Sequence, residues 1–226
     1  MKKMLLQEDN CMRITSVLFI LFSFCCLPDT SLYAGASEGG SEKGIVNIQK
    51  AYENIQDISG GFVQKSHIKD LKRTETFHGN FLIKRPLKMK WDYKGEQPQE
   101  VLINNDRITI YQKMEKQAFT GKFDRDTYGQ APIALLSGFG KIQEEFSVSE
   151  KNGRLLLKPK KQMGGILSIE IEPSDGEFPI KSFTIYDSFS NTIEMTLKDV
   201  RINTGLKDAV FDLSLPKDTT TFEHNP

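Results

Sequence analysis

Apolar residues recur along this chain with two different periods. Ile45, Ile48, Tyr52 and Ile55 follow three- and four-residue steps, with Ile58 one step further, which predicts an amphipathic helix of about 13 residues stopped by Gly60-Gly61. The period then changes to two. Phe77, Gly79, Phe81 and Ile83 alternate with polar residues, as do Leu87, Met89, Trp91 and Tyr93. Ile108 and Ile110 follow a turn at Asn104-Asn105-Asp106. Phe146 and Val148, Leu155 and Leu157, and Leu167, Ile169 and Ile171 come next. Phe183 and Ile185, then Ile193, Met195 and Leu197, then Phe211, Leu213 and Leu215 complete the series. About ten short strands are predicted, separated by turns such as Lys151-Asn152-Gly153 and Ser174-Asp175-Gly176. Strict alternation gives each strand one apolar and one wet face, which indicates an antiparallel sheet. Tyr128 to Ser137 interrupts the series as a loop leading into a short helix, with Pro132 in its first turn and Gly138 after it. A sheet of this kind covers its apolar face by curling up or by packing helices on it.

The start of the chain has another character. Lys2, Lys3 and Arg13 precede an apolar run from Ile14 to Leu27 that ends at Pro28-Asp29. As a helix this run spans about 21 Å, short of the roughly 30 Å hydrocarbon core of a bilayer. It fits the apolar region of a signal peptide, with Ala34-Gly35-Ala36 as cleavage site, so residues 1–36 are expected to be an export signal and 37–226 one domain. Met4 and Met12 are alternative starts, and an uncleaved membrane anchor is the alternative reading. Cys11, Cys25 and Cys26 all fall in this segment. A chain cut after Ala36 holds no cysteine, hence no disulfide and no thiolate metal ligand. Ser37 to Lys43 then forms a loose polar terminus.

Composition narrows the function. Thirty basic residues balance thirty acidic ones, so no net field favours a nucleic-acid backbone. His67, His78 and His224 are too scattered for a local metal pattern and read as solvated loop, strand and tail residues. Neither G-x-S-x-G nor H-E-x-x-H occurs, and Gly140-Lys141 lacks the upstream glycine of a phosphate loop. Asp124, Asp126, Glu144 and Glu145 are the remaining acid/base candidates; solvated turn residues are the simpler reading. No catalytic residue, metal or cofactor is expected.

One stretch stands out: Lys84-Arg85-Pro86-Leu87-Lys88-Met89-Lys90-Trp91-Asp92-Tyr93. Pro86 removes a ladder donor and marks a strand's entrance or edge. Four large side chains then share one face, among them the protein's single tryptophan. By periodicity alone this is an ordinary core strand behind a surface arginine. Together with Phe62-Val-Gln64, Gly79-x-Phe81, the Asn105-Asp106 turn and Ile108-x-Ile110-Tyr111, however, the chain resembles the LolA family of periplasmic outer-membrane lipoprotein carriers. The likeness continues through Gln117-Ala118, Pro132-x-x-Leu135-Leu136, Leu157-x-Pro159 and Phe211-x-Leu213-x-Leu215-Pro216, so it covers roughly Ile45 to Thr221.

The resemblance implies a mainly β fold: an open, strongly curved antiparallel half-barrel of about eleven strands, with helices as a lid over a hydrophobic cavity. It implies a periplasmic, non-enzymatic chaperone that accepts acylated lipoproteins released by an inner-membrane ABC transporter. Cargo would pass to an outer-membrane acceptor, a receptor lipoprotein where one exists, with the carrier a monomer and no nucleic acid involved. Arg85 would latch the lid. Phe81, Ile83, Leu87, Met89, Trp91, Tyr93, Ile108, Ile110, Leu167, Ile169 and Met195 would line the acyl-chain cavity. Ile45, Ile48, Tyr52, Ile133, Leu135 and Leu136 would belong to the lid. Met89 stands where the family commonly has an aromatic residue, and Asn-Asp replaces the usual Asp-Gly turn. Two other classes remain at this point: an exported lipid-binding or sensor module on the same half-barrel, and an envelope enzyme using carboxylates of the sheet. Acyl chains need a substitute solvent to leave a membrane, since each CH₂ exposed to water costs about 0.8 kcal/mol.

Overall fold

The period-two alternation builds a single sheet of twelve strands in the computed structural model, which describes residues 41–123, 142–163 and 165–224. Helix α1 (Ser41–Glu53) comes first. Six strands follow: β1 (Asp57–Ile68), β2 (Arg73–Lys84), β3 (Lys88–Lys94), β4 (Gln99–Asn104), β5 (Arg107–Gln112) and β6 (Gln117–Lys122). A one-turn helix α2 (Ile142–Glu145) opens the second series, β7 (Phe146–Lys151), β8 (Arg154–Pro159), β9 (Ile166–Pro173), β10 (Ile180–Asp187) and β11 (Thr192–Ile202). A 3-10 turn at Asp208–Phe211 and β12 (Thr220–His224) complete the described chain.

The strands lie in the order β12-β6-β5-β4-β3-β2-β1-β11-β10-β9-β8-β7. Two meanders are therefore joined through β1 and β11, paired from Ile58↔Ile202 to His67↔Thr192. Turn chemistry supports the hairpins: Asn105 and Asn152 hold φ of 58° and 53°, left-handed values that asparagine tolerates better than most residues.

Several expectations need correction. The helix ends at Glu53, and Gly60-Gly61 lie inside β1, which also contains Ile58. Glycine at 60 answers a packing need, because a Cβ there would sit 3.0 Å from both the Phe81 ring and the Lys198 carbonyl. Strands β1, β4, β6 and β12 did not stand out by alternation. Both faces of β4 and β5 are largely buried, which erases the polar beat. The sheet has twelve strands, not about eleven, and β12 runs parallel to β6. Phe211, Leu213 and Leu215 form no strand; Phe211 closes the 3-10 turn and is fully buried.

That last difference changes the wet face. The segment after β11 crosses the reverse side of the sheet, where the Lys84 amine donates to the Leu206 carbonyl (2.7 Å) and Lys84 and Lys88 both pair with Asp208. Hydrogen bonds hold the Asp208 carboxyl below its usual range, with the Lys84 bond foremost and the Lys88 bond next. Leu102 and Tyr111 are buried on this side together with Phe211. Elsewhere the reverse face is solvated and carries cross-strand ion pairs such as Arg154 with Glu170 and Glu172.

Candidate functional site

Cross-strand partners share a face, so the ladders show which side chains meet. Phe81, Trp91, Val101 and Ile110 form one row across β2 to β5, and Ile83, Met89, Ile103 and Ile108 form the next. On the other meander, Leu155, Ile171, Phe183 and Met195 make one row, and Leu157, Ile169, Ile185 and Ile193 another. All sixteen side chains in these rows are buried. Strand β1 joins the two halves. The Phe62 ring lies edge-on to Trp91 at 4.8 Å and to Tyr93 at 5.0 Å, while Phe81 stacks on Trp91 at 5.2 Å. Glycine at 79 makes room, since a Cβ there would fall 2.1 Å from the Asp92 carbonyl and 2.8 Å from the Phe62 ring.

A short polar seam crosses this apolar wall. The Tyr93 hydroxyl donates to Gln64 Oε1 (3.1 Å), and Gln64 Nε2 donates to Ser66 Oγ (3.0 Å). Burial pushes the Tyr93 phenol well above its ordinary pKa, so it stays a neutral donor. Trp91 Nε1, Tyr52 Oη and Gln112 Oε1 are buried with no hydrogen-bond partner among the described residues. Burial likewise raises the Tyr52 phenol, against a weaker downward pull from the Arg85 charge.

Helix α1 packs its Ile45, Ile48 and Tyr52 stripe inward. Its first described turns rest on the β7–β8 hairpin, where Gly44 packs closely on Leu155: a Cβ would come within 3.1 Å of that side chain. Further along, the Tyr52 ring meets Phe178 edge-on at 5.6 Å. At the carboxyl end Arg85 Nη2 donates to the Tyr52 carbonyl (2.5 Å), a cation placed at the negative end of the helix dipole.

The joint between α1 and β1 is held from a second side. Arg85 N donates to the Gln56 carbonyl. The Asn203 amide bridges the same joint, accepting from Gln56 N (2.7 Å) and donating to the Asn54 carbonyl (3.0 Å). Beside it the buried Asp57 carboxylate accepts from Thr204 N, Thr204 Oγ1, Gly205 N and Leu206 N at 2.8–3.2 Å. Burial alone would raise the Asp57 pKa; the Thr204, Leu206 and Gly205 bonds outweigh it and hold the carboxyl below its ordinary value.

The structure places most of the expected residues together. Phe81, Ile83, Met89, Trp91, Ile108, Ile110, Ile169 and Met195 are buried on one face, Tyr93 is half-buried there, and Leu87 is half-buried in the turn before β3. Leu167 requires correction: it is 59% exposed and does not join the buried wall. The β8 ladder runs along β9 from Ile171 to Ile169 and stops there, and the β9–β10 register shifts at Leu167, so neither ladder pairs it. Ile133, Leu135 and Leu136 lie outside the described residues, as do Asp124 and Asp126. Glu144 and Glu145 are exposed on α2, and exposed His67 and His78 stand at separate points of the β1–β2 hairpin. Phe62, Gln64, Phe183 and Asp57 were not singled out for the site. Phe183 lay in a legible alternation, but only pairing joins its strand to the same wall.

With this geometry, the comparison with known proteins is decisive. Residues 53–214 match the family described as outer membrane lipoprotein carrier protein LolA. The chain belongs to the LolA family. Its relatives include the outer-membrane lipoprotein carrier protein of Neisseria meningitidis serogroup C, 27% identical over 203 residues, covering 87% of this chain and 94% of that one. The carrier of Halorhodospira halophila is 24% identical over 180 residues, covering 79% and 85%. Among solved structures, an uncharacterized conserved protein of Thermus thermophilus shares the fold, with a TM-score of 0.51 at 9% identity, covering 81% of this chain and 98% of that one. LolA proteins are periplasmic carriers of outer-membrane lipoproteins, so the work of this LolA chain is transport and not catalysis.

Proposed function

We propose that the LolA fold of this chain carries acyl chains on the Trp91 face, with the sheet curled as a half-barrel and α1 acting as its lid. The observation that carries this reading is the bond from Arg85 to the Tyr52 carbonyl, which ties a helix of buried Ile45, Ile48 and Tyr52 to the rim of an apolar wall. The cavity wall is Phe81, Ile83, Met89, Trp91, Ile108, Ile110, Ile169 and Met195, extended by Phe62 and Phe183. Met89 and Met195 suit chains of variable shape, because the thioether side chain repacks easily. Arg85 acts as a latch: a guanidinium with several donors holds the Tyr52 carbonyl of α1 and exchanges it for other acceptors when the helix moves. The unpartnered Trp91 and Gln112 atoms support the reading, since a buried polar group without a partner is costly and a cargo's ester or amide groups would satisfy it.

In this scheme residues 1–36 direct export and are removed. An inner-membrane ABC transporter loads the carrier, and an outer-membrane acceptor of higher affinity unloads it, each tenfold in affinity supplying about 1.4 kcal/mol. The test is release: the exported chain is incubated with spheroplasts making radiolabelled lipoproteins. Labelled lipoprotein in the soluble fraction, bound to the chain one to one, is expected. Lipoproteins that stay with the membrane, where an established LolA releases them, would sink the proposal and leave an exported lipid-binding module in its place.

A further inference from the structure

Three connections meet at the end of the sheet away from Arg85. The β1–β2 turn (69–72) is tied to the β10–β11 turn by Lys69 N donating to Asn191 Oδ1 (3.0 Å) and the Lys69 amine donating to Ser190 Oγ (3.3 Å). The β10–β11 turn is tied in turn to the β8–β9 connection by Ser188 N donating to the Gly165 carbonyl (2.7 Å). The two turns place Leu71 (54% exposed) and Phe189 (51%) in solvent, and Leu167 (59%) follows the third connection at the start of β9. Exposed Lys69, Lys72 and Lys161 stand among them, and Arg73 is paired with Glu75. Asp70 is the exposed acid of the β1–β2 turn. Asp187 is turned inward, its carboxylate accepting from Phe189 N, Asn191 N and Asn191 Nδ2. Those bonds shape the turn that holds Phe189 outward.

We propose that this rim, Leu71, Phe189 and Leu167 ringed by Lys69, Lys72 and Lys161, is where the protein touches an anionic bilayer surface. Two observations select a lipid surface as the occupant. The first is charge: apolar tips surrounded by lysines match the boundary between acyl chains and anionic headgroups. The second is continuity. Leu167 lies two residues before the buried Ile169 in β9, where the β9–β10 register shifts, so the exposed side chain stands at the edge of the buried wall. The exposure of Leu167, a defect in a closed core, becomes the outer lip of the wall. The attachment is weak by design, because three isolated side chains and a few lysines hold a protein far less firmly than a lipid anchor does.

This goes beyond the carrier reading, and its test is separable from it. The exported chain is floated with vesicles of phosphatidylethanolamine and phosphatidylglycerol in about 3:1 ratio, and with phosphatidylcholine vesicles as the neutral control. Flotation with the anionic vesicles that fades with added salt is expected. The double variant Leu71→Asp/Phe189→Asp should partition about tenfold less, and Lys69→Glu/Lys72→Glu comparably less. Met114→Asp, which removes an exposed apolar residue at 68% exposure in another turn, should leave partitioning unchanged. All five positions are solvated, so the variants should fold. Soluble lipopeptide binding by the Leu71/Phe189 variant should persist, because the wall is untouched; its loss together with flotation would point to the carrier reading and not to the rim. Wild-type protein that floats with neither vesicle, that floats equally with both, or that is matched by the double variant overturns the proposal. Binding only to membranes that retain their proteins overturns it too.

Discussion

Asp57→Asn tests how the α1–β1 joint is held. The carboxylate is 4% exposed and accepts four bonds, two on each oxygen. An asparagine oxygen keeps the pair from Thr204, but its amide faces Gly205 N and Leu206 N, so donor meets donor. Two hydrogen bonds to an ionised acceptor are lost, and at about 1.5–3 kcal/mol each, offset by the lower cost of burying a neutral amide, a net loss of about 3 kcal/mol is expected. With an m-value of about 2 kcal/mol/M, the urea midpoint falls by about 1.5 M. The pH dependence makes the test specific. The folded pKa of Asp57 lies below its reference of 3.8, so the anchor contributes fully above that value and is lost as pH falls through the folded pKa. The stability gap between wild type and Asp57→Asn should hold at neutral pH and close in acid. Urea titrations followed by Trp91 fluorescence at several pH values measure it. A gap that stays constant well below pH 3.8 would falsify the ionic account.

Three further outcomes follow from the packing. Arg85→Leu removes one charge-assisted bond to the Tyr52 carbonyl, worth about 1.5–3 kcal/mol; amides of α1 should exchange with solvent about tenfold faster or more, and unchanged exchange would remove the latch. Gly79→Ala drives a methyl group against the Asp92 carbonyl, so a loss of about 3 kcal/mol or more and little soluble protein are expected, with an unshifted thermal midpoint as the refuting result. Phe211→Ala empties a fully buried site beneath the C-terminal segment at a cost of about 3–5 kcal/mol, and limited proteolysis should then cut between β11 and β12 before the rest of the sheet.

The expected wall was legible where one face is dry and the other wet. Trp91 and Met89 alternate with Lys90 and Asp92, and Ile169 and Ile171 with Glu170 and Glu172, so their shared face can be read directly. The same signal failed on β4 and β5, where Leu102 and Tyr111 are buried on the reverse side by a segment about a hundred residues further on. It failed at Gly60 as well. Gly60-Gly61 in the sequence reads as a stop, yet Gly60 lies within β1 and gives space to the Phe81 ring. Leu167 shows the opposite limit, since alternation runs on through it but says nothing about where one neighbouring ladder stops and the other shifts register.

Local chemistry by itself determined the helix before the sheet, most of the alternating strands, their turns and the ordered motifs that mark a LolA protein. Those depend on neighbours within a few residues, where side-chain direction follows from backbone period alone. The tertiary structure decided which faces join into one wall, that β1 lies between β2 and β11, and that the C-terminal segment closes the reverse side. It also brought Asp57 to Thr204 and Arg85 to Tyr52, contacts 147 and 33 residues apart along the chain. No short-range pattern encodes such pairings, because their stability comes from burial and hydrogen bonds that exist only once the distant strands have met.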